Sequence, residues 1–62
     1  MNEKLKNEIE HYFELMYEDG MKLSFIESEL KLDISLLYYK NKISVNERNE
    51  LEKHVNWLLY EQ

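Results

Sequence analysis

The sequence contains no cysteine and no proline, and its single glycine is Gly20. Without cysteine the chain can form neither a disulfide framework nor a thiolate metal site, on which small secreted domains usually depend. No apolar run approaches the roughly 18 residues of a membrane-spanning helix. The amino-terminal residues "MNEKLK" lead into no apolar signal-peptide segment. We therefore expect a soluble cytoplasmic protein that has no membrane partner.

Basic residues are also scarce, because 8 of them face 13 acidic residues and the formal net charge is −5. This balance counts against a general polyanion binder, since affinity for nucleic acids depends on neutralising phosphates. The excess of acid lies in residues 1–29, which carry eight acidic residues and three lysines. Residues 30–43 instead carry three lysines and one aspartate. This locally basic strip weakly favours nucleic-acid binding on one face.

Most apolar residues of the sequence recur at helical spacing, and β-branched residues in alternation are few. In the first third of the chain the spaced apolar residues are Leu5, Ile9, Phe13 and Met16. They predict a first helix over about residues 3–18, with Asn2 as its cap and Gly20 ending it in a left-handed conformation. On the second helix the inward-facing positions are predicted to be Ile26 and Leu30, and a further short helix holds Ile34, Leu37 and Tyr38. The last helix is predicted to have Leu51, Val55, Leu58 and Leu59 on one face.

Two Ser-x-x-Glu patterns, at Ser24–Glu27 and Ser44–Glu47, predict capping boxes that start helices. Between them, the chain is predicted to break at Lys31–Asp33, with Asp33 capping a further short helix. The sequence therefore predicts an all-α fold: one domain over residues 1–62, built as a compact bundle of four short helices.

This pattern reads as a helix, "KLSFIESEL", a turn at "KLD", a second helix "ISLLYY" and a basic loop "KNKIS" before the last helix. Over residues 5–58 it resembles the Cro and phage-repressor type of helix-turn-helix domain. The resemblance implies a transcriptional regulator from a phage or plasmid that binds a double-stranded DNA operator as a homodimer. The residues facing the groove would be Ile34, Ser35, Tyr38 and Tyr39, and the phosphate contacts would be Lys31, Lys40 and Lys42. The sequence departs from that family at the turn, where Lys31 stands in place of the preferred glycine.

A second resemblance is to the small two-helix aspartyl-phosphate phosphatases of the sporulation phosphorelay. Leu32-Asp33 and Tyr39 match parts of their Ser-Gln-x-Leu-Asp signature and of the residues that follow it. The Ser-Gln pair is replaced by Glu29-Leu30, and residues 44–62 have no counterpart. This alternative expects one unbroken helix over residues 26–40 with Asp33 inside it.

The acidic residues of the first helix allow a third interpretation. They are Glu3, Glu8, Glu10, Glu14, Glu18 and Asp19. A solvated face explains them most simply. Alternatively they mimic the phosphates of a nucleic acid, so that the protein inhibits a nucleic-acid enzyme. Mobile elements encode small acidic inhibitors of this type, anti-CRISPR proteins among them.

Eight aromatic residues are more than a core of this size can bury. Exposed clusters are therefore expected at "LLYY", residues 36–39, and at "WLLY", residues 57–60. We expect Trp57, Leu58 and Tyr60 to form a homodimer contact.

No pattern predicts catalysis, because the chain has no cysteine nucleophile, no glycine-framed serine and no phosphate-binding glycine loop. The pairs His11/Glu14 and Glu50/His54 are at helical spacing, but a metal site needs three or four converging ligands. We interpret them as surface pairs. The sequence therefore predicts a protein that is not an enzyme and that has no metal, cofactor or small-molecule substrate.

Overall fold

The computed structural model describes residues 3–61, and these form three α-helices. The helices are α1 (Glu3–Glu18), α2 (Leu23–Tyr39) and α3 (Val45–Asn56), and α3 continues as a π-helical turn, Trp57–Glu61. No strand occurs within residues 3–61, so the all-α prediction is confirmed over that range. The prediction of four helices is wrong. Asn2, the predicted cap of α1, lies outside the described residues.

The difference lies in α2, which runs without interruption through the predicted turn at Lys31–Asp33. No glycine or proline stands there to break the helix. The Lys31 ammonium instead donates a hydrogen bond of 2.7 Å to the Glu27 carboxylate one turn earlier, so an ion pair joins the first residue of the expected break to the preceding turn. Leu30 and Ile34, four residues apart on either side of residues 31–33, are both buried. Their burial keeps the parts of α2 before and after these residues on one helical axis.

The start of α2 also differs from the prediction. Lys22 is the cap residue, with extended backbone and no side-chain cap bond, so Ser24 lies inside the first turn. Ser24 and Glu27 form no capping box. Asp33 is an exposed residue in the middle of the helix and caps nothing.

Each interhelical turn has a left-handed residue as its second residue. Gly20 has φ of +79° at the end of α1, as predicted, and the Met21 amide donates to the Met16 carbonyl at 3.2 Å. Asn41 has φ of +58° after α2, and the Lys42 amide donates to the Leu37 carbonyl at 2.9 Å. These six-to-one bonds are Schellman motifs, which satisfy carbonyls that a helix end leaves without partners.

The start of α3 agrees with the prediction. The Ser44 hydroxyl accepts a hydrogen bond of 3.1 Å from the Glu47 amide, and the Glu47 carboxylate accepts one of 2.9 Å from the Ser44 amide. This reciprocal pair is a complete capping box.

The core lies where the three helices meet, and α2 contacts both of the others. Its buried members are Ile9, Phe13, Ile26, Leu30, Ile34, Ile43, Leu51, Val55, Leu58 and Leu59. Leu5, Met16, Leu37 and Tyr38 are partly buried against them. Every position predicted to face inward is in one of these two groups. The reason is that the 3.6-residue period of a helix does not depend on where the helix ends.

Candidate interaction surfaces

The residues predicted to contact DNA lie on α2 and the loop after it, and the structure divides them. Ile34 is only 1% exposed and belongs to the core, so the prediction that it faces a DNA groove is wrong. Lys31 is half-buried and its ammonium is already paired with Glu27. Ser35 is half-buried on the next turn of the same helix. The helix-turn-helix geometry expected for these residues is absent, since they share one continuous helix.

Tyr38 and Tyr39 have different surroundings although they are neighbours. The Arg48 guanidinium of α3 lies 4.6 Å from the centre of the Tyr38 ring, a cation–π contact that joins α3 to the end of α2. Tyr39 is 78% exposed, and Lys40 and Lys42 after it are also exposed. These last three residues are the part of the predicted DNA-binding set that remains accessible.

The predicted dimer contact is divided in the same way. Leu58 is buried in the core, so the prediction that it forms an interface is wrong. Trp57 is about half exposed, and its ring stacks on the His54 ring with centroids 5.8 Å apart. The Tyr60 hydroxyl donates a hydrogen bond of 2.7 Å to the Glu27 carboxylate. Both aromatic residues therefore already have contacts within the chain.

Glu27 connects α2 to the carboxyl-terminal turn. Its carboxylate accepts hydrogen bonds from Lys31 and from Tyr60, and these bonds hold the pKa of Glu27 below its ordinary value, with Lys31 the larger cause. The same bond to Glu27 raises the pKa of the Tyr60 hydroxyl. Both bonds stabilise the ionised carboxylate, and the bond from Tyr60 also stabilises the neutral phenol.

A second polar contact joins α1 to α3. His54 Nε2 lies 2.7 Å from Glu10 Oε1, and the ring donates because a carboxylate only accepts. The predicted partner of His54 was Glu50, one turn earlier on its own helix, but the observed partner is distant in sequence. Within residues 3–61 no three His, Asp or Glu side chains are grouped to hold a metal ion.

Leu36 and Tyr39 of the exposed cluster predicted at residues 36–39 belong to a larger feature, a second apolar side of α2. Phe25, Leu32, Leu36 and Tyr39 are 45 to 78% exposed, and we call them the α2 stripe. At 3.6 residues per turn they lie within about 60° of one another and about 140° from the centre of the buried side. Their spacing is visible in the sequence, but a predicted break at residues 31–33 separates them onto two helices.

The α2 stripe borders a groove between α1 and α2. The groove is lined by Tyr12, Asp33, Leu36, Leu37 and Lys40 and has a volume of about 330 Å³. Tyr12 and Leu15 of α1 are about half exposed and lie one turn apart, so α1 extends the apolar surface across the groove.

The continuous helix that contains Asp33 agrees with the expectation from the phosphatase resemblance. The Ser-Gln pair of that signature is still replaced by Glu29-Leu30, and α3 has no counterpart in that family. The resemblance therefore supports no proposal of phosphatase activity.

Within residues 3–61, every helix falls short of the length and apolar character needed to cross a bilayer. Comparison with protein-family models, with curated proteins and with solved structures finds no match to this chain.

Proposed function

We propose that this protein is a small non-enzymatic regulatory protein that acts by binding another protein through the exposed apolar surface of α1 and α2. One observation carries the proposal: α2 is apolar on two sides, and only one of them is covered by the core. An exposed row of large apolar residues costs solubility, and such surfaces commonly mark protein interfaces.

The acidic composition supports a protein partner rather than a phosphate backbone. The net charge of −5 repels polyanions, whereas a protein surface with basic residues is attracted. This is the inhibitor-like alternative of the sequence analysis, with the apolar surface added as the main contact.

Site-specific photo-crosslinking in the cells that produce the protein tests this proposal. A photoreactive phenylalanine analogue at Leu36 should give one discrete protein adduct, whereas the same analogue at Glu50, exposed on α3, should give none. The additional change Leu32→Glu should remove the adduct, because it places a charge in the apolar contact. If Leu36 and Glu50 give the same adducts, or neither gives any, the α2 stripe is not a protein-binding surface.

Operator binding is a second candidate, favoured by the exposed Tyr39, Lys40 and Lys42 at one end of the molecule. An aromatic residue beside two lysines can contact a base edge while the lysines contact phosphates. Gel shifts at about 50 mM salt with DNA from the gene's own locus test it, because phosphate contacts are strongest at low salt. The double variant Lys40→Glu/Lys42→Glu should abolish any shift. No shift with the unaltered protein would eliminate this candidate.

A further inference from the structure

The apolar surface of α1 and α2 has acidic residues beside both of its rows. We define the α1–α2 face as the α2 stripe together with Tyr12 and Leu15. Glu8 lies one turn before Tyr12 on α1, and Asp19, the residue after α1, lies one turn after Leu15, so an acid stands at each end of the α1 row. On α2, Glu29 and Asp33 lie along the side of the stripe that faces α1, because Asp33 and Tyr12 line the same groove.

These four carboxylates have no ion-pair partner among residues 3–61, unlike Glu10, Glu27 and Glu52, which are each paired. Asp19 and Glu29 lie near the same end of the face, because α1 and α2 run antiparallel through a short turn. The border acids are therefore free to attract cations from outside the chain. Lys40 is the base that lines the groove, at the opposite end of α2.

We propose that the α1–α2 face binds a basic amphipathic helix of a partner protein. The inference rests on the proposed function and identifies the class of its partner. The apolar side of the partner helix lies on the α2 stripe, and the lysine or arginine residues on its side nearer α1 meet Glu8, Asp19, Glu29 and Asp33. Binding a helix in an apolar groove is a common mode of protein recognition. Opposite charges at the rim accelerate association and select against wrong partners.

The same charges disfavour the other occupants of an apolar surface. A second copy of this chain has the same unpaired carboxylates and the same net charge of −5, so like charges meet across a two-fold contact. An anionic lipid surface or a nucleic acid is repelled by the border acids for the same reason.

Titration of two designed peptides tests the inference with the full chain. One peptide of about 18 residues has leucine on one helical face and lysine elsewhere, and the other has glutamate in place of every lysine. Fluorescence anisotropy of the labelled peptides should show at least about tenfold tighter binding of the lysine peptide. Equal affinities, or binding of neither peptide, would overturn the inference.

Matched variants distinguish peptide binding by the α1–α2 face from attraction of the peptide to the net charge of the protein. Glu29→Lys/Asp33→Lys should weaken binding of the lysine peptide about tenfold. Glu14→Lys/Glu50→Lys changes the net charge equally at exposed positions away from the face and should leave affinity within about twofold. Equal losses would show attraction to net charge only and would overturn the inference. Circular dichroism establishes that all variants fold.

The exposed leucine supplies the apolar part of the test. Leu36→Ser should weaken lysine-peptide binding about tenfold without unfolding the protein, since Leu36 is about half exposed. Sedimentation velocity of the protein alone should give a monomer. A dimer that Leu36→Ser dissociates would show that a second copy covers the face, against the inference. Since photo-crosslinking at Leu36 does not depend on the peptides, a captured partner with no peptide binding contradicts the inference while the proposed function stands.

Discussion

Residues 24–27 and 44–47 have the same Ser-x-x-Glu pattern and different structures. Ser44 and Glu47 exchange hydrogen bonds with each other's backbone and start α3. Ser24 and Glu27 lie inside α2, where the Glu27 carboxylate binds Lys31 and Tyr60 instead. The pattern is therefore sufficient for a cap only where no helix has begun before its serine.

The preceding residues explain the difference. Ser44 lies in the loop after α2, three residues beyond the left-handed Asn41. It has extended backbone and is itself the cap residue of α3. Ser24 follows Lys22, which has φ of −65° and ψ of 144° and already serves as the cap. Helix α2 has therefore begun before Ser24 is reached, and the Glu27 side chain is free to pair with Lys31 one turn later.

The largest expected effect concerns the continuity of α2. Lys31→Pro should destabilise the protein by about 3 kcal/mol or more, because proline removes a helical hydrogen bond and clashes with the preceding turn. Val45→Pro is the matched control, since Val45 is the first residue of α3, where proline is tolerated. Urea unfolding followed by circular dichroism measures both variants. Wild-type stability in Lys31→Pro would mean that the chain bends at residues 31–33 after all.

The next effect concerns the cap of α3. Ser44→Ala should lower the free energy of unfolding by about 1 kcal/mol, because the Glu47 amide loses its acceptor. Ser44→Asp should restore most of the loss, since aspartate is an equally good cap. Chemical unfolding at constant pH provides the measurement. A stability unchanged by Ser44→Ala would show that water replaces the cap at no cost.

A smaller effect depends on pH and concerns the Glu27 carboxylate. Because the pKa of Glu27 is lowered in the folded protein, its ionised form adds stability above the ordinary glutamate pKa. That stability is lost as the pH falls through the lowered folded value. The difference in unfolding free energy between the wild type and Glu27→Gln should therefore shrink between about pH 5 and pH 3.

Tyr60→Phe is the companion variant for this measurement. It removes one of the two hydrogen bonds, so the NMR-detected pKa of Glu27 should rise part of the way to its ordinary value, with Lys31 retaining the larger share. A pKa that does not respond to Tyr60→Phe would contradict the contact between the carboxyl-terminal turn and α2.

The smallest effect is expected at the pattern that forms no cap. Ser24→Ala should change stability by at most about 0.5 kcal/mol, and toward greater stability, since alanine is the better helix former. The comparison with Ser44→Ala under identical conditions isolates the value of the cap from the change in residue type. A loss as large as that of Ser44→Ala would mean that Ser24 caps a helix in solution.

Several elements of the fold follow from local rules that need no knowledge of distant residues. The limits of α1 follow from apolar spacing and from Gly20, whose backbone enters the left-handed region without steric cost. The inward positions of α1 and α3 follow from the period of 3.6 residues. The left-handed turn at Asn41 was not predicted, although asparagine is the second residue type to favour this position.

The candidate site was less accessible to prediction. The row of Phe25, Leu32, Leu36 and Tyr39 exists only on an unbroken helix, so an error at residues 31–33 concealed it. The prediction of Ile34 as a DNA contact and of Leu58 as an interface failed because both pack into the core. Exposure depends on which neighbouring helices cover a residue, and spacing along one helix does not contain that information.

By itself the sequence determined that the chain is helical, where α1 ends and how α3 begins, because each depends on contacts within about one helical turn. Tertiary structure decided that α2 is continuous and that one of its two apolar sides stays exposed. It also decided that the Glu27 carboxylate accepts a hydrogen bond from Tyr60 instead of forming a capping box. Those outcomes depend on how α1 and α3 share the surface of α2. Two helices cover only part of the circumference of a third, and only their placement decides which part is left.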